Sequence, residues 1–186
     1  QFADGNSRGK AGRYSFVSHI AHSGSAIAMQ AWRRYRYTGD RQWLRTHAYP
    51  LLRETVEFYR TLARKGDDGL YHLYGLNQFE NKNCWGTNDG LIDLGAIRGT
   101  APLAIRAAEI LGVDEELRVK WEEFLENLVP YPMSSDPRTY GVVKDCEVDV
   151  WANGIPGDIP HERYTKPHEQ ILFPVFPFEN WTLETN

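Results

Sequence analysis

The sequence has few cysteines, no long apolar run and no concentration of positive charge. Its two cysteines, Cys84 and Cys146, are too few for a disulfide scaffold and lack the spacing of a zinc finger. No stretch approaches the ~20 apolar residues that a membrane-spanning helix requires. Acidic and basic residues are mixed, and the net charge is −4, unlike the clustered basic surface of a nucleic-acid-binding protein. We therefore expect no membrane partner and no nucleic-acid partner, and pairing of the two cysteines stays open.

Motifs for nucleotides and metals are also missing. The chain has no P-loop, no dinucleotide-binding fingerprint, no nucleophile elbow and no strong metal-ligand motif, so we expect neither a cofactor nor a metal. Aromatic residues, in contrast, make up 13% of the chain. Such a surplus is typical of a carbohydrate or small-molecule cleft, and equally of a plain aromatic core. Because the chain begins at Gln1 rather than Met, we expect a processed or excised piece; its compartment stays open between secreted, periplasmic and cytoplasmic.

The spacing of apolar residues predicts four helices. They recur at steps of three and four over about residues 18–37, 40–64, 88–111 and 114–128, with the third helix interrupted near Pro102. Asp40 and Asp114 are expected to cap the second and fourth helices, and Pro50 to mark a kink or restart in the second. A helix, a Gly/Asp turn and another helix occur twice, which is the pattern of stacked αα-hairpins. The sequence thus predicts an all-α chain forming part of a helical toroid, with a free-standing four-helix bundle as the alternative.

The remaining segments divide the chain further. Residues 1–12 read as a flexible lead-in, residues 18–128 as two αα-hairpins, and residues 129–186 as a long loop region leading to the next helical unit. Only residues 140–150 have strand character in that last region, which predicts an irregular arm with a short β-hairpin.

One polar segment, residues 77–85, is the best candidate for chemistry. Glu80 lies there among amides and beside Phe79 and Trp85. Apolar neighbours raise the pKa of a carboxyl group by desolvation, which is what a general acid needs near neutral pH. The alternative is a capped loop in which Phe79 and Trp85 only anchor the core. The segment joins two strongly helical regions, and long connections inside compact domains are often functional.

Other candidates lie on either side of this segment. Asp89 and Asp93 are four residues apart, which predicts two carboxylates on one face of the third helix, although Asp89 could serve only to stabilise the helix end. His161 and His168 stand near prolines that could aim them, and a lone histidine in a loop is often a surface residue. His19 and His22, near the start of the first helix, have capping or packing as their alternative role.

Several segments together resemble a family. Residues 31–40 followed by residues 48–52 and 57–58 are similar to a recurring helix pair of the (α/α)6-barrel glycoside hydrolases, especially the family 95 fucosidases and their relatives. Glu80-Asn81, followed by Thr87-Asn88-Asp89, resembles the family segment in which a Glu-Asn pair precedes a Thr-x-Asp helix start. Residues 168–177 resemble a later family segment, a His followed by an apolar stretch ending in Pro. Gln78-Phe79 stand where the family usually has Ser-Pro.

The resemblance implies part of an (α/α)6 barrel from an inverting glycoside hydrolase acting on α-linked sugars such as L-fucosides or L-galactosides. It makes Glu80 the general acid and places the water-activating asparagines and the catalytic base outside this chain. We expect the substrate-binding residues to be Asn77, Asn81, Trp85, Asp89, His161 and His168. The chain alone is expected to be inactive and to associate through exposed helix faces. The alternatives are a related glycoside phosphorylase or other glycosidase, and a non-catalytic helical-repeat binding module.

Overall fold

The computed structural model describes residues 19–78, 86–134, 150–151 and 172–180, and these residues form mainly helices. The helices are α1 (Ser23–Thr38), α2 (Arg41–Trp43), a π-helical stretch (Leu44–Ala48), α3 (Tyr49–Leu62), α4 (Leu91–Leu111) and α5 (Glu115–Glu126). Two antiparallel pairs of two-residue strands join β1 (Arg64–Lys65) to β2 (Tyr71–His72), and β3 (Met133–Ser134) to β4 (Val150–Trp151). Within the described ranges no helix is both long and apolar enough to cross a membrane.

The first hairpin forms as its turn residues predict. Helix α1 ends at Gly39, whose N–H donates to the Tyr35 carbonyl at 2.8 Å. Asp40 then caps the next helix, because its Oδ1 accepts hydrogen bonds from the N–H groups of Gln42 at 2.9 Å and Trp43 at 3.0 Å. Pro50 lies in the first turn of α3, directly after the π-helical stretch, so the chain runs as one helical rod from α2 into α3.

The predicted interruption of the third helix is wrong, because α4 continues through Pro102. A proline inside a helix costs about 3 kcal/mol. Pro102 is on the exposed side of α4, whereas most of the 21 residues of the helix are buried against α1, α3 and α5. This packing outweighs the local preference. One turn before Pro102, Gly99 lets the backbone at Phe178 pass, since a Cβ at position 99 would lie 2.5 Å from the Phe178 carbonyl oxygen.

The predicted cap at Asp114 is also wrong. Asp114 has a left-handed backbone conformation (φ +52°) and makes no capping hydrogen bond to α5. Its carboxylate instead accepts a hydrogen bond from the Tyr49 hydroxyl and lies 3.4 Å from Arg53 Nε. Asp114 therefore ties the turn between α4 and α5 to α3, which is a tertiary role that local sequence does not specify.

The helices enclose two adjoining groups of buried side chains. One group lies between α1, α3 and α4 and includes Trp32, Leu52 and the fully buried Trp121 of α5, whose Nε1 donates to Glu57 Oε1 at 2.6 Å. The other brings Tyr59 and Phe178 together with apolar residues of α4 and α5. The all-α class with packed αα-hairpins is confirmed.

Parts of the predicted domain layout fall outside the described residues. Val150, at the end of the predicted strand region, lies in β4 and pairs with Ser134, while residues 140–149 lie outside the described residues. The lead-in at residues 1–12 and the start of the next helical unit at residues 181–186 also lie outside them. The division into these three parts stays a prediction.

Candidate functional site

Of the polar segment that carries Glu80, the structure describes the first two residues, Asn77 and Gln78, and the chain that follows it over residues 86–134. Residues 79–85 themselves lie outside the described residues. On the two sides, Leu76 and Thr87 form an antiparallel bridge: the Leu76 N–H donates to the Thr87 carbonyl at 3.0 Å, and the Thr87 N–H donates to the Leu76 carbonyl at 2.7 Å. Both residues are buried. The residues just before and just after the segment are therefore paired with each other in the core.

Asn77, the first residue of the segment, closes this loop. Its side chain is fully buried, and its Oδ1 accepts a hydrogen bond from the Gly86 N–H at 2.9 Å. The Asn77 N–H donates to the His19 carbonyl at 2.9 Å, which joins the segment to the chain just before α1. The substrate-binding role expected of Asn77 stays a prediction, and its amide oxygen holds the two ends of the loop together.

Gln78 anchors the same end of the segment to α4. Its Oε1 accepts a hydrogen bond from the Ile92 N–H at 2.8 Å, and its Nε2 donates to the carboxylate of Asp93. The side chain is fully buried and passes directly over Gly90, where a Cβ would lie 2.0 Å from Gln78 Cδ. Our reading of the sequence missed Gln78. The signal that could have found it is an amide two residues before Glu80 combined with a glycine next to the start of a helix.

Asp93 is a buried carboxyl group at the centre of this anchor. It lies in the first turn of α4 with no exposed surface, and its Oδ1 accepts a hydrogen bond from the equally buried Tyr59 hydroxyl at 2.9 Å. Burial raises the pKa of Asp93 to about 7, although the hydrogen bonds from Gln78 and Tyr59 act in the opposite direction. Burial, together with the charge of Asp93, also raises the pKa of the Tyr59 hydroxyl.

Asp89 and Asp93 do not share a helix face, so that prediction is wrong. Helix α4 begins at Leu91, and Asp89 precedes it with a left-handed backbone (φ +48°). The Asp89 carboxylate accepts a hydrogen bond from the Leu73 N–H at 2.9 Å and contacts His72 Nδ1 at 2.8 Å. Asp89 thus joins the loop after β2 to the start of α4. Its expected role in substrate binding stays a prediction.

Two histidines near the segment differ in their electrostatics. His72 contacts Asp89 through Nδ1, and its second ring nitrogen, Nε2, contacts the Asp68 carboxylate at 3.1 Å. Partial burial lowers the pKa of His72, but the carboxylates of Asp89 and Asp68 more than compensate, so the pKa is raised overall. His22 is buried with its ring edge-on to Phe173 at 5.7 Å, and burial lowers its pKa despite a hydrogen bond with the backbone of Gln78.

Five predicted site residues remain. They are Glu80, Asn81, Trp85, His161 and His168, and all of them lie outside the described residues. Among the residues that are described, no group of three or more His, Cys, Asp or Glu side chains is arranged to hold a metal ion.

The stacked helix hairpins agree with a partial (α/α)-barrel domain. Residues 7–186 match the sequence model of the glycosyl hydrolase family 95 catalytic domain, and the chain belongs to this family.

Two curated relatives are similar to the chain. A kojibiose hydrolase of Flavobacterium johnsoniae is 33% identical over 104 residues, which cover 53% of this chain and 14% of the relative. An alpha-L-fucosidase 2 of Arabidopsis thaliana is 26% identical over 168 residues, which cover 87% of this chain and 18% of the relative. The chain thus spans less than a fifth of the length of either protein.

Proposed function

We propose that this chain is part of an inverting glycoside hydrolase for α-linked sugars and that Glu80 is its general acid. Membership of family 95 supports the reaction class. The proposed step is protonation of the glycosidic oxygen by Glu80 while a carboxylate outside this chain activates water. Inverting enzymes hold the two carboxyl groups roughly 6.5–9.5 Å apart so that the water fits between the base and the sugar.

The anchoring of the segment's ends is the observation that supports Glu80 best. A general acid works only when its proton lies within hydrogen-bonding reach of the leaving oxygen, so its backbone has to be fixed. The Leu76–Thr87 bridge and the buried side chains of Asn77 and Gln78 fix the chain up to two residues before Glu80. By sequence Glu80 is also close to Phe79 and Trp85, which favour a raised carboxyl pKa and a stacking surface for sugar rings.

The two relatives define the substrates to be compared. One is named an alpha-L-fucosidase and the other a kojibiose hydrolase. We propose α-linked sugars as the substrate class, with L-fucosides and L-galactosides as the first members to test. The proposed lining residues of the sugar site are Asn77, Asn81, Trp85, Asp89, His161 and His168.

The test is hydrolysis by the full-length protein of α-L-fucosides, α-L-galactosides and kojibiose, followed by NMR of the first product formed. We expect a product of β configuration, released without added phosphate. A product that first appears in the α configuration would exclude inversion. Turnover that requires inorganic phosphate would identify a phosphorylase instead, and binding without turnover of any sugar would favour a binding module.

A further inference from the structure

The side chain of Gln78 is held at every polar atom by the start of α4. Its oxygen accepts from the Ile92 N–H at 2.8 Å and its nitrogen donates to Asp93, while Gly90 leaves the space through which the side chain passes. The first N–H groups of a helix have no partner within the helix, so the bond from Ile92 also satisfies a group that would otherwise be buried without one. Gln78 is thus fixed in orientation as well as in position.

The direction of the Gln78 amide is set by its partners. The Ile92 N–H can only donate, so the amide oxygen has to face it and the amide nitrogen has to face Asp93. Asp93 in turn receives two donors, the Gln78 nitrogen and the Tyr59 hydroxyl, on different carboxylate oxygens. A carboxylate meets this demand because both of its oxygens accept. An asparagine keeps one oxygen for the Gln78 nitrogen and can donate its amino group to the Tyr59 hydroxyl oxygen, whereas a leucine offers no acceptor at all.

We propose that Asp93 is a positioning residue for the general acid: through Gln78 it fixes the backbone two residues before Glu80. This inference rests on the role proposed for Glu80. Asp93 lies in the first turn of α4 with no exposed surface and accepts a hydrogen bond from Gln78, so its influence on the reaction passes through Gln78. Because Gln78 is two residues before Glu80, a shift at Gln78 moves the acid relative to the bond it protonates. Misplacement of a catalytic group by about 1 Å can cost on the order of 10²-fold in rate.

The test removes the acceptor at position 93 and compares it with a conservative substitution that keeps one. In the full-length protein, Asp93→Leu leaves the Gln78 nitrogen without an acceptor, so we expect kcat to fall by about 10²-fold while KM changes little. Asp93→Asn keeps an oxygen for the Gln78 nitrogen and turns its amino group toward the Tyr59 hydroxyl, which then accepts. Asp93→Asn should therefore keep kcat within about tenfold of wild type, and the exposed Asp67→Asn should leave kcat unchanged.

The contrast between Asp93→Leu and Asp93→Asn shows whether the acceptor for Gln78 is what matters at position 93. A wild-type kcat in Asp93→Leu, or an equal loss of kcat in Asp93→Asn, overturns the inference. If Asp93→Leu does not fold, Gln78→Met replaces it, because that variant keeps the Asp93–Tyr59 pair and should still lower kcat more than it changes KM. Glu80→Gln separates the two proposals: if that variant is fully active the role of Glu80 fails, whereas an inactive Glu80→Gln beside a normal Asp93→Leu removes only the role of Asp93.

Discussion

Replacement of Asp93 by asparagine should change how stability depends on pH. Burial raises the pKa of Asp93 to about 7 in the folded protein, compared with 3.8 for an ordinary aspartate. Because the folded state binds this proton more tightly than the unfolded state, the stabilisation is fully present below about pH 4 and is lost as the pH rises to about 7. At about 1.4 kcal/mol per pH unit, this interval corresponds to roughly 4 kcal/mol. Asparagine has no proton to bind in this range, so Asp93→Asn removes that dependence.

The assay is urea unfolding of the wild-type and Asp93→Asn proteins, followed by circular dichroism between about pH 4 and pH 8. The quantity to compare is the difference in the free energy of unfolding, wild type minus variant, because other titrating groups largely cancel in it. This difference should fall by up to roughly 4 kcal/mol between about pH 4 and pH 7, and then level off. Asp67→Asn, on the exposed surface, should show no such trend. Parallel wild-type and Asp93→Asn curves across this range would refute the reasoning.

Two further comparisons test the contacts around the start of α4. Gly90→Ala should lower the free energy of unfolding by about 1–3 kcal/mol or more, because the new Cβ would lie 2.0 Å from Gln78. Gly24→Ala, whose Cβ would have its nearest neighbour at 3.7 Å, should instead raise the free energy of unfolding by about 0.5–1 kcal/mol. Equal effects of the two substitutions in thermal unfolding would contradict this account. His72→Gln should destabilise more at about pH 5 than at about pH 8, because the raised pKa of His72 means that its stabilising charge is present below about 6.5 and lost as the pH rises through the folded value. A loss in urea unfolding that is the same at both pH values would show that the contacts with Asp68 and Asp89 are not ionic.

The elements set by local chemistry were predictable from the sequence. Asp40 caps the next helix as expected, because an aspartate side chain accepts hydrogen bonds from the exposed N–H groups at a helix start. The spacing of apolar residues over 114–128 correctly predicted α5, because the apolar Trp121 and Phe124 are the residues that this helix buries. The family resemblance that was noted from the residues is confirmed.

The features that depend on tertiary contacts were not predictable. A local rule ends a helix at Pro102, and only the packing of α4 on three other helices overrides it. A local rule makes Asp114 a helix cap, but Tyr49 and Arg53 lie within its reach and hold its carboxylate elsewhere.

The hydrogen bond between Gln78 and Asp93 at the candidate site is another tertiary contact that the sequence did not predict. Sequence reasoning selected the right polar segment and gave its attention to Glu80 and Asn77. The partnership between Gln78 and Asp93 joins residues 15 positions apart through the space left by Gly90, and no periodic pattern reports such a contact. Gln78, at which the sequence departs from the family pattern, is tied to α4 by two side-chain hydrogen bonds.

The activity of Glu80→Gln toward two kinds of substrate tests the central claim most directly. An unactivated α-glycoside needs protonation of its leaving oxygen, whereas an aryl glycoside with an acidic leaving group does not. If Glu80 is the general acid, the full-length variant should lose on the order of 10²–10⁴-fold or more in kcat/KM on the unactivated substrate, retain most of its activity on the aryl glycoside, and keep its circular dichroism spectrum. Undiminished hydrolysis of the unactivated glycoside, or an equal loss on both substrates, would contradict the account.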